Sequence, residues 1–250
     1  MMNMTPVVKQ LIIINVIFFI GSQLVPISYE YLAMFFPESP NFMLWQPVTH
    51  MFMHGDILHI ISNMFVLISF GSTLEMAFGP KKILFFYISC GLGAVLFDTA
   101  IKYYMFQDGL NSLITAGFSK SNVLNLLSEG KIDERWQDIL TATEYRNFTG
   151  SYFGASLGAS GATYGLMIAF AFMFPNVELG LIFIPIPIKA KYFVLGILTI
   201  DLVLGLKNNS LFGGGSGHLI GHFAHLGGAL TGYLMMLYWK KNQFNNNRWN

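Results

Sequence analysis

Six apolar runs of membrane-crossing length constrain this chain more than any other feature. They fall at about residues 7–25, 57–78, 83–104, 154–174, 189–206 and 217–239. A bilayer core about 30 Å thick takes roughly 20 apolar residues to cross as a helix. Charged residues make up 11% of the chain and hydrophobic ones 54%, whereas a soluble domain carries about a quarter charged residues. The expected fold class is an all-α polytopic membrane protein, a bundle of six transmembrane helices. A net charge of +1 gives no reason to expect nucleic acid as a partner. The lone Cys90 lies inside an apolar run, so no intramolecular disulfide forms and no metal cluster is suggested. No metal or other cofactor is expected, and no oligomeric state is specified.

Breakers and polar stretches divide the runs. Thr5-Pro6 reads as an N-cap followed by proline at the first helical position. Residues 26–56 hold four prolines and many aromatics, including Tyr29, Tyr31 and Trp45, and suit the membrane interface. Gly79-Pro80 ends the second span, and Pro175-Asn176 the fourth. Residues 105–153 are polar and charged. They are expected to form an extracytoplasmic insertion between the third and fourth spans, with short amphipathic helices near 121–127 and 133–142. Residues 177–188 read as an extended connection at the interface. The glycine-rich loop 207–216 reads as a cap, and 240–250 as a polar tail. The whole chain, 1–250, is expected to be one membrane domain. Lys9, Lys81, Lys82, Lys189, Lys191, Lys240, Lys241 and Arg248 share one side, which puts both termini in the cytoplasm.

Two polar stretches stand out against this apolar background. One is Gly158-Ala159-Ser160-Gly161-Ala162-Thr163-Tyr164-Gly165 at the start of the fourth span. A serine among glycines there is either a close-packing device or a nucleophile. The other is Gly221-His222-Phe223-Ala224-His225-Leu226-Gly227-Gly228 in the sixth span. With spans starting at 154 and 217, Ser160 and His225 lie about 9–12 Å below their helix starts at roughly 1.5 Å per residue. His59 and Asn63, at i and i+4, fall at a similar depth in the second span. Polar groups clustered at one level in lipid are costly unless used or paired. Asn63 also suits a bond to a neighbouring helix, and His54, His59 and His50 also suit the interface. Glu75 reads as structural or snorkelling. Asp98 and Asp201 are intramembrane carboxylates that keep a transporter reading open.

Gly158-x-Ser160-Gly161 with Tyr164 one turn on resembles the nucleophile motif of the rhomboid intramembrane serine proteases. Ala224-His225-x-x-Gly228 is similar to that family's histidine motif, Gly228-x-x-x-Gly232 to its close-packed last helix, and His54 with His59-x-x-x-Asn63 to its second-helix motif. The resemblance covers about residues 7–239. It implies a six-span rhomboid bundle that hydrolyses peptide bonds in or near the transmembrane segments of other proteins. Ser160 is then the nucleophile and His225 its base, working as a dyad through an acyl-enzyme. Tyr164 packs on the imidazole. Asn63, His59 and the backbone at Ser160 and Gly161 stabilise the oxyanion. Gly158, Gly228, Gly232 and His54 orient or pack the site. The residues agree with a dyad, since no Asp or Glu lies near the outer half of the second, fourth or sixth span apart from Asp56.

Partners implied are the lipid bilayer and transmembrane substrates. A bacterial inner membrane is expected, because no organelle-targeting segment precedes the first span. One departure from the family is Trp45-Gln46, where Trp-Arg is frequent and the arginine is structural. The rival reading is a proteolytically inactive relative that binds membrane clients, a class that typically lacks the serine or the histidine.

Overall fold

In the computed structural model, residues 4–181, 184–207 and 221–243 are described. Helix α1 (Pro6–Leu24) begins with proline at its first turn. Its N-terminal donors are met from another element. Glu75 accepts from the Thr5 hydroxyl at 2.5 Å and from the Val7 and Val8 N–H groups at 3.0 Å each. The carboxylate therefore pins the start of α1 to the end of α2 (Ile57–Phe78), where it satisfies orphan donors and sits favourably at the helix N-terminus. Asp56 caps α2 by accepting from the His59 N–H at 2.8 Å. A π-helical turn interrupts α2 over Leu67–Gly71. The helix stops at Gly79, whose φ of 81° is left-handed, and Pro80 opens α3.

Helix α3 (Pro80–Thr115) has 36 residues and is much longer than the expected 83–104. Its C-terminal part runs past the apolar stretch and packs against residues 118–152. There Lys120–Ser128 (α4), a turn at Trp136–Ile139 and Ala142–Phe153 (α5) close over a second core that includes Phe106, Trp136 and Phe148. Helix α4 matches the expected 121–127. The helix expected at 133–142 shrinks to one turn, and α5 begins instead at a capping box between Thr141 and Glu144.

The fourth span departs most from expectation. Helix α6 (Ser160–Met173) starts six residues later than 154. Residues 154–158 spend their backbone bonds elsewhere. Ser156 exchanges both hydrogen bonds with Met34 at 2.8 Å, and the Gly158 N–H donates to the His50 carbonyl at 2.9 Å. On α3, the buried Lys102 donates to the Gly154 carbonyl and to the Ser156 hydroxyl, which itself donates to Asp98 at 2.7 Å. Ser160 is thus the first residue of its helix, and the depth reckoned from a start at 154 does not apply.

After α6 the chain makes an antiparallel hairpin of β1 (Glu178–Leu181) and β2 (Ile184–Lys189). The expected extended connection is there, and the fold is not purely helical. Helices α7 (Ala190–Lys207) and α8 (Gly221–Gln243) complete the described chain. The loop expected to act as a cap lies outside the described residues apart from Lys207, as do 217–220 of the sixth span and 244–250 of the tail. Among the described residues three helices, α1, α2 and α3, are long and apolar enough to cross a membrane, and α6 is a shorter apolar helix.

The first loop is tied down by the residue that departs from the family pattern. Gln46 is fully buried. Its amide donates to the Asn41 carbonyl at 2.8 Å and the Glu30 carbonyl at 3.3 Å, and it accepts from the Phe35 N–H at 3.3 Å. A neutral amide meets the backbone groups of this loop without a buried charge.

Candidate active site

Ser160 sits at a helix N-terminus. The first bond of α6 runs from the Thr163 N–H to the Ala159 carbonyl at 3.0 Å. The N–H groups of Ser160 and Gly161 are therefore outside the helix ladder, at the positive end of the helix dipole. Just before it, Gly158 has a φ of 121°, and a Cβ there would come within 2.7 Å of His59 Nε2. Only glycine lets the chain turn there against the His59 ring.

His59 and Asn63 reach the same place from α2. Asn63 is buried, its amide donates to the His59 carbonyl at 2.9 Å, and its carbonyl oxygen accepts from the Thr163 hydroxyl at 3.3 Å. The rings of His59 and the buried His54 meet edge to face, 5.0 Å between centroids. The Tyr29 hydroxyl donates to the His54 carbonyl at 2.6 Å.

The glycines of α6 and α8 stack in register. A Cβ on Gly228 would collide with the Gly161 carbonyl, and one on Gly232 would lie 2.9 Å from the Gly165 backbone. A Cβ on Gly161 would strike Ala94 of α3. The backbones touch, as small residues at membrane-helix interfaces allow.

This contact brings α8 close enough for Tyr164 to lie flat on His225, with centroids 4.2 Å apart and planes 13° from parallel. His225 and Ser160 line one cavity of about 620 Å³, together with His59, Asn63 and Thr163. Ser160 also borders a second cavity of about 330 Å³, where His50, Asp98, Lys102 and Gly161 contribute to the wall.

Behind His225 lies a carboxylate that the sequence had suggested only for transport. Asp201 of α7 is buried, and its oxygens stand 3.3 and 3.4 Å from His225 Nδ1. Its Oδ1 also pairs with His222 Nδ1 at 2.6 Å. The expectation that no carboxylate approaches the imidazole is therefore corrected. It surveyed the second, fourth and sixth spans, and the carboxylate comes from the fifth. His222 faces this carboxylate. Asp98 is engaged with Lys102 at 3.4 Å and with Ser156, where it braces the loop before Ser160.

A rhomboid domain family model matches residues 41–242, most of the chain and all of these motifs. The chain belongs to the rhomboid family. Similar proteins include RHOMBOID-like protein 12, mitochondrial, of Arabidopsis thaliana, 28% identical over 79% of this chain and 47% of that protein. Presenilin-associated rhomboid-like protein A, mitochondrial, of Danio rerio is 24% identical over 88% of this chain and 45% of its own length. Rhomboid protease AarA of Providencia stuartii is 23% identical over 77% and 55%. This rhomboid spans about half the length of the curated relatives it matches.

Thr163, Gln46, Ser156 and Lys102 all serve the site and were missed as contributors. Thr163 follows Ser160 by three residues, one turn along α6, so helical spacing could have pointed to it. Asp201 lies about six residues before the end of α7. Counting back from the C-terminal end of the fifth apolar run, next to the start of the sixth, would have set it level with His225.

Proposed function

We propose that this rhomboid is an intramembrane serine endopeptidase, a single membrane domain of six spans with both termini cytoplasmic. In this reading α6, α7 and α8 cross with α1, α2 and α3, and the insertion at 105–153 faces outside. The lysines at the cytoplasmic ends of the spans support that orientation. We place it in a bacterial inner membrane; the relatives named mitochondrial make an organelle membrane the other setting.

The observation that carries the reading is Ser160 at a helix N-terminus, in one cavity with an imidazole clamped by Tyr164. Ser160 Oγ attacks the scissile carbonyl while His225 Nε2 takes its proton. The same nitrogen returns the proton to the leaving amine. Water then gives a proton to Nε2 as it attacks the acyl-enzyme, and Ser160 leaves reprotonated. The oxyanion meets the N–H groups of Ser160 and Gly161, with the Asn63 amide and His59 beside them. The 330 Å³ cavity, with Asp98 and Lys102 in its wall, gives water a polar place next to Ser160. Substrates are transmembrane segments with helix-weakening residues near the outer face, because a helical backbone must open before its carbonyl can be attacked.

A fluorophosphonate probe separates this from the inactive client-binding reading. It labels Ser160 in the wild type and loses that labelling in His225→Ala. Equal labelling without His225, or none in the wild type, counts against the protease.

A further inference from the structure

We propose that Asp201 is a positioning residue for His225, making the site a set of three (Ser160, His225 and Asp201) rather than a pair. The inference rests on the protease reading above. Asp201 lies about six residues, roughly 9 Å, from the end of α7, and His225 lies just inside the start of α8. The two helices bring them to one level. Asp201 Oδ2 is 3.3 Å from His225 Nδ1 and has no hydrogen-bonding partner of its own among the described residues. Oδ1 is held by His222 Nδ1, one turn before His225 on the same helix.

The chemistry follows from what each group can do. An ionised carboxylate only accepts, so the proton of His225 belongs on Nδ1 and the lone pair is left on Nε2. Nε2 is the nitrogen at the opposite edge of the ring, away from Asp201. Tyr164 fixes the plane of the ring through its face, and a stacked ring does not select which nitrogen is protonated. Asp201 supplies that selection. When the Ser160 hydroxyl proton moves to Nε2, the Nδ1 proton stays where it is and Asp201 remains ionised beside the imidazolium. A carboxylate buried inside a membrane is costly, and Asp201 is met there by the two imidazoles and the Tyr164 hydroxyl, the same Tyr164 that stacks on His225.

The groups facing His225 are Tyr164 from α6, Asp201 from α7 and His222 from its own helix. The test compares purified wild type with Asp201→Asn on a fluorogenic transmembrane peptide. The expected result is a fall in kcat of about 10²–10⁴-fold with KM within about threefold, the mark of an interaction made in the transition state. The acidic limb of the pH–rate profile moves to lower pH, and Asp201→Glu recovers part of the rate. A kcat within about threefold of wild type and an unmoved profile overturn the proposal.

A second readout does not need turnover. In ¹⁵N-histidine-labelled Ser160→Ala protein, His225 carries its proton on Nδ1, and that preference is lost when Asp201→Asn is added. A proton on Nε2 before the second substitution overturns the proposal. If the wild type is inert but this spectrum holds, the protease reading fails and the pairing stands. Treatment with EDTA leaves the rate unchanged; a loss restored by Zn²⁺ assigns the three side chains to a metal and also overturns it.

Discussion

The ring of Tyr164 lies on the ring of His225, 4.2 Å between centroids and nearly parallel. A stacked aromatic pair is worth about 0.5–1.5 kcal/mol beyond the area it buries. Tyr164→Ala is expected to lower kcat about three- to tenfold by freeing the imidazole. Tyr164→Phe keeps the face and most of the rate. Steady-state cleavage by the two purified variants checks this.

Asn63 comes next in weight. Removing one side-chain donor from an oxyanion site costs about 2.7–4 kcal/mol, a fall of about 10²–10³ in kcat, so Asn63→Ala is expected to be slow but measurable. Thr163→Val removes a hydroxyl whose one proton is shared between the Ser160 carbonyl at 3.0 Å and the Asn63 carbonyl oxygen at 3.3 Å. Its expected cost is milder, about 0.5–1.5 kcal/mol. A Thr163→Val enzyme slower than Asn63→Ala contradicts this assignment.

The glycine seam makes a prediction about stability. Any Cβ on Gly228 meets the Gly161 carbonyl, a backbone atom that cannot rotate away. Gly228→Ala is expected to cost about 1–3 kcal/mol as α6 and α8 separate. Thermal unfolding in detergent reads the loss, and activity falls with it because the same seam brings His225 to Ser160.

The buried pair on α3 distinguishes a charge from its partner. Lys102→Met leaves Asp98 buried without a counter-charge, with the Ser156 hydroxyl still donating to it, and breaking such a pair typically costs about 3–5 kcal/mol. Replacing both, Asp98→Asn with Lys102→Met, is expected to be milder. Chemical denaturation of the two variants orders them, and a double variant less stable than the single one contradicts the account.

His50, in the first loop, is held neutral. Burial lowers its pKa from the usual 6.5 to about 4. The unfolded chain takes up a proton near pH 6.5 and the folded loop does not, so this contribution is present above that pH and is lost as pH falls toward about 4. Melting temperature is expected to drop between pH 6.5 and 4.5, and His50→Asn to flatten that drop.

Much of this was legible in the sequence because membrane insertion leaves few alternatives. Apolar length marked α1 and α2 closely, and the motif order set Asn63, Ser160 and His225 on three separate helices. What escaped depends on contacts between distant segments. The start of α6 moved to Ser160 because Met34, His50 and Lys102 take the backbone groups of residues 154–158. Nothing local to that stretch announces it. The length of α3 was hidden because its C-terminal turns are amphipathic and gain their partners from Trp136 and Phe148. Asp201 was seen as a charge in a span, but its neighbour could not be named until α7 and α8 were packed.

The central claim is that Ser160 performs hydrolysis within the membrane. Purified wild type and Ser160→Ala, each reconstituted in liposomes with a single-span reporter protein, test it most directly, with the fragments read by mass spectrometry. The account predicts one cut near the outer end of the reporter's span with wild type and none with Ser160→Ala. The same cut made by Ser160→Ala would contradict it.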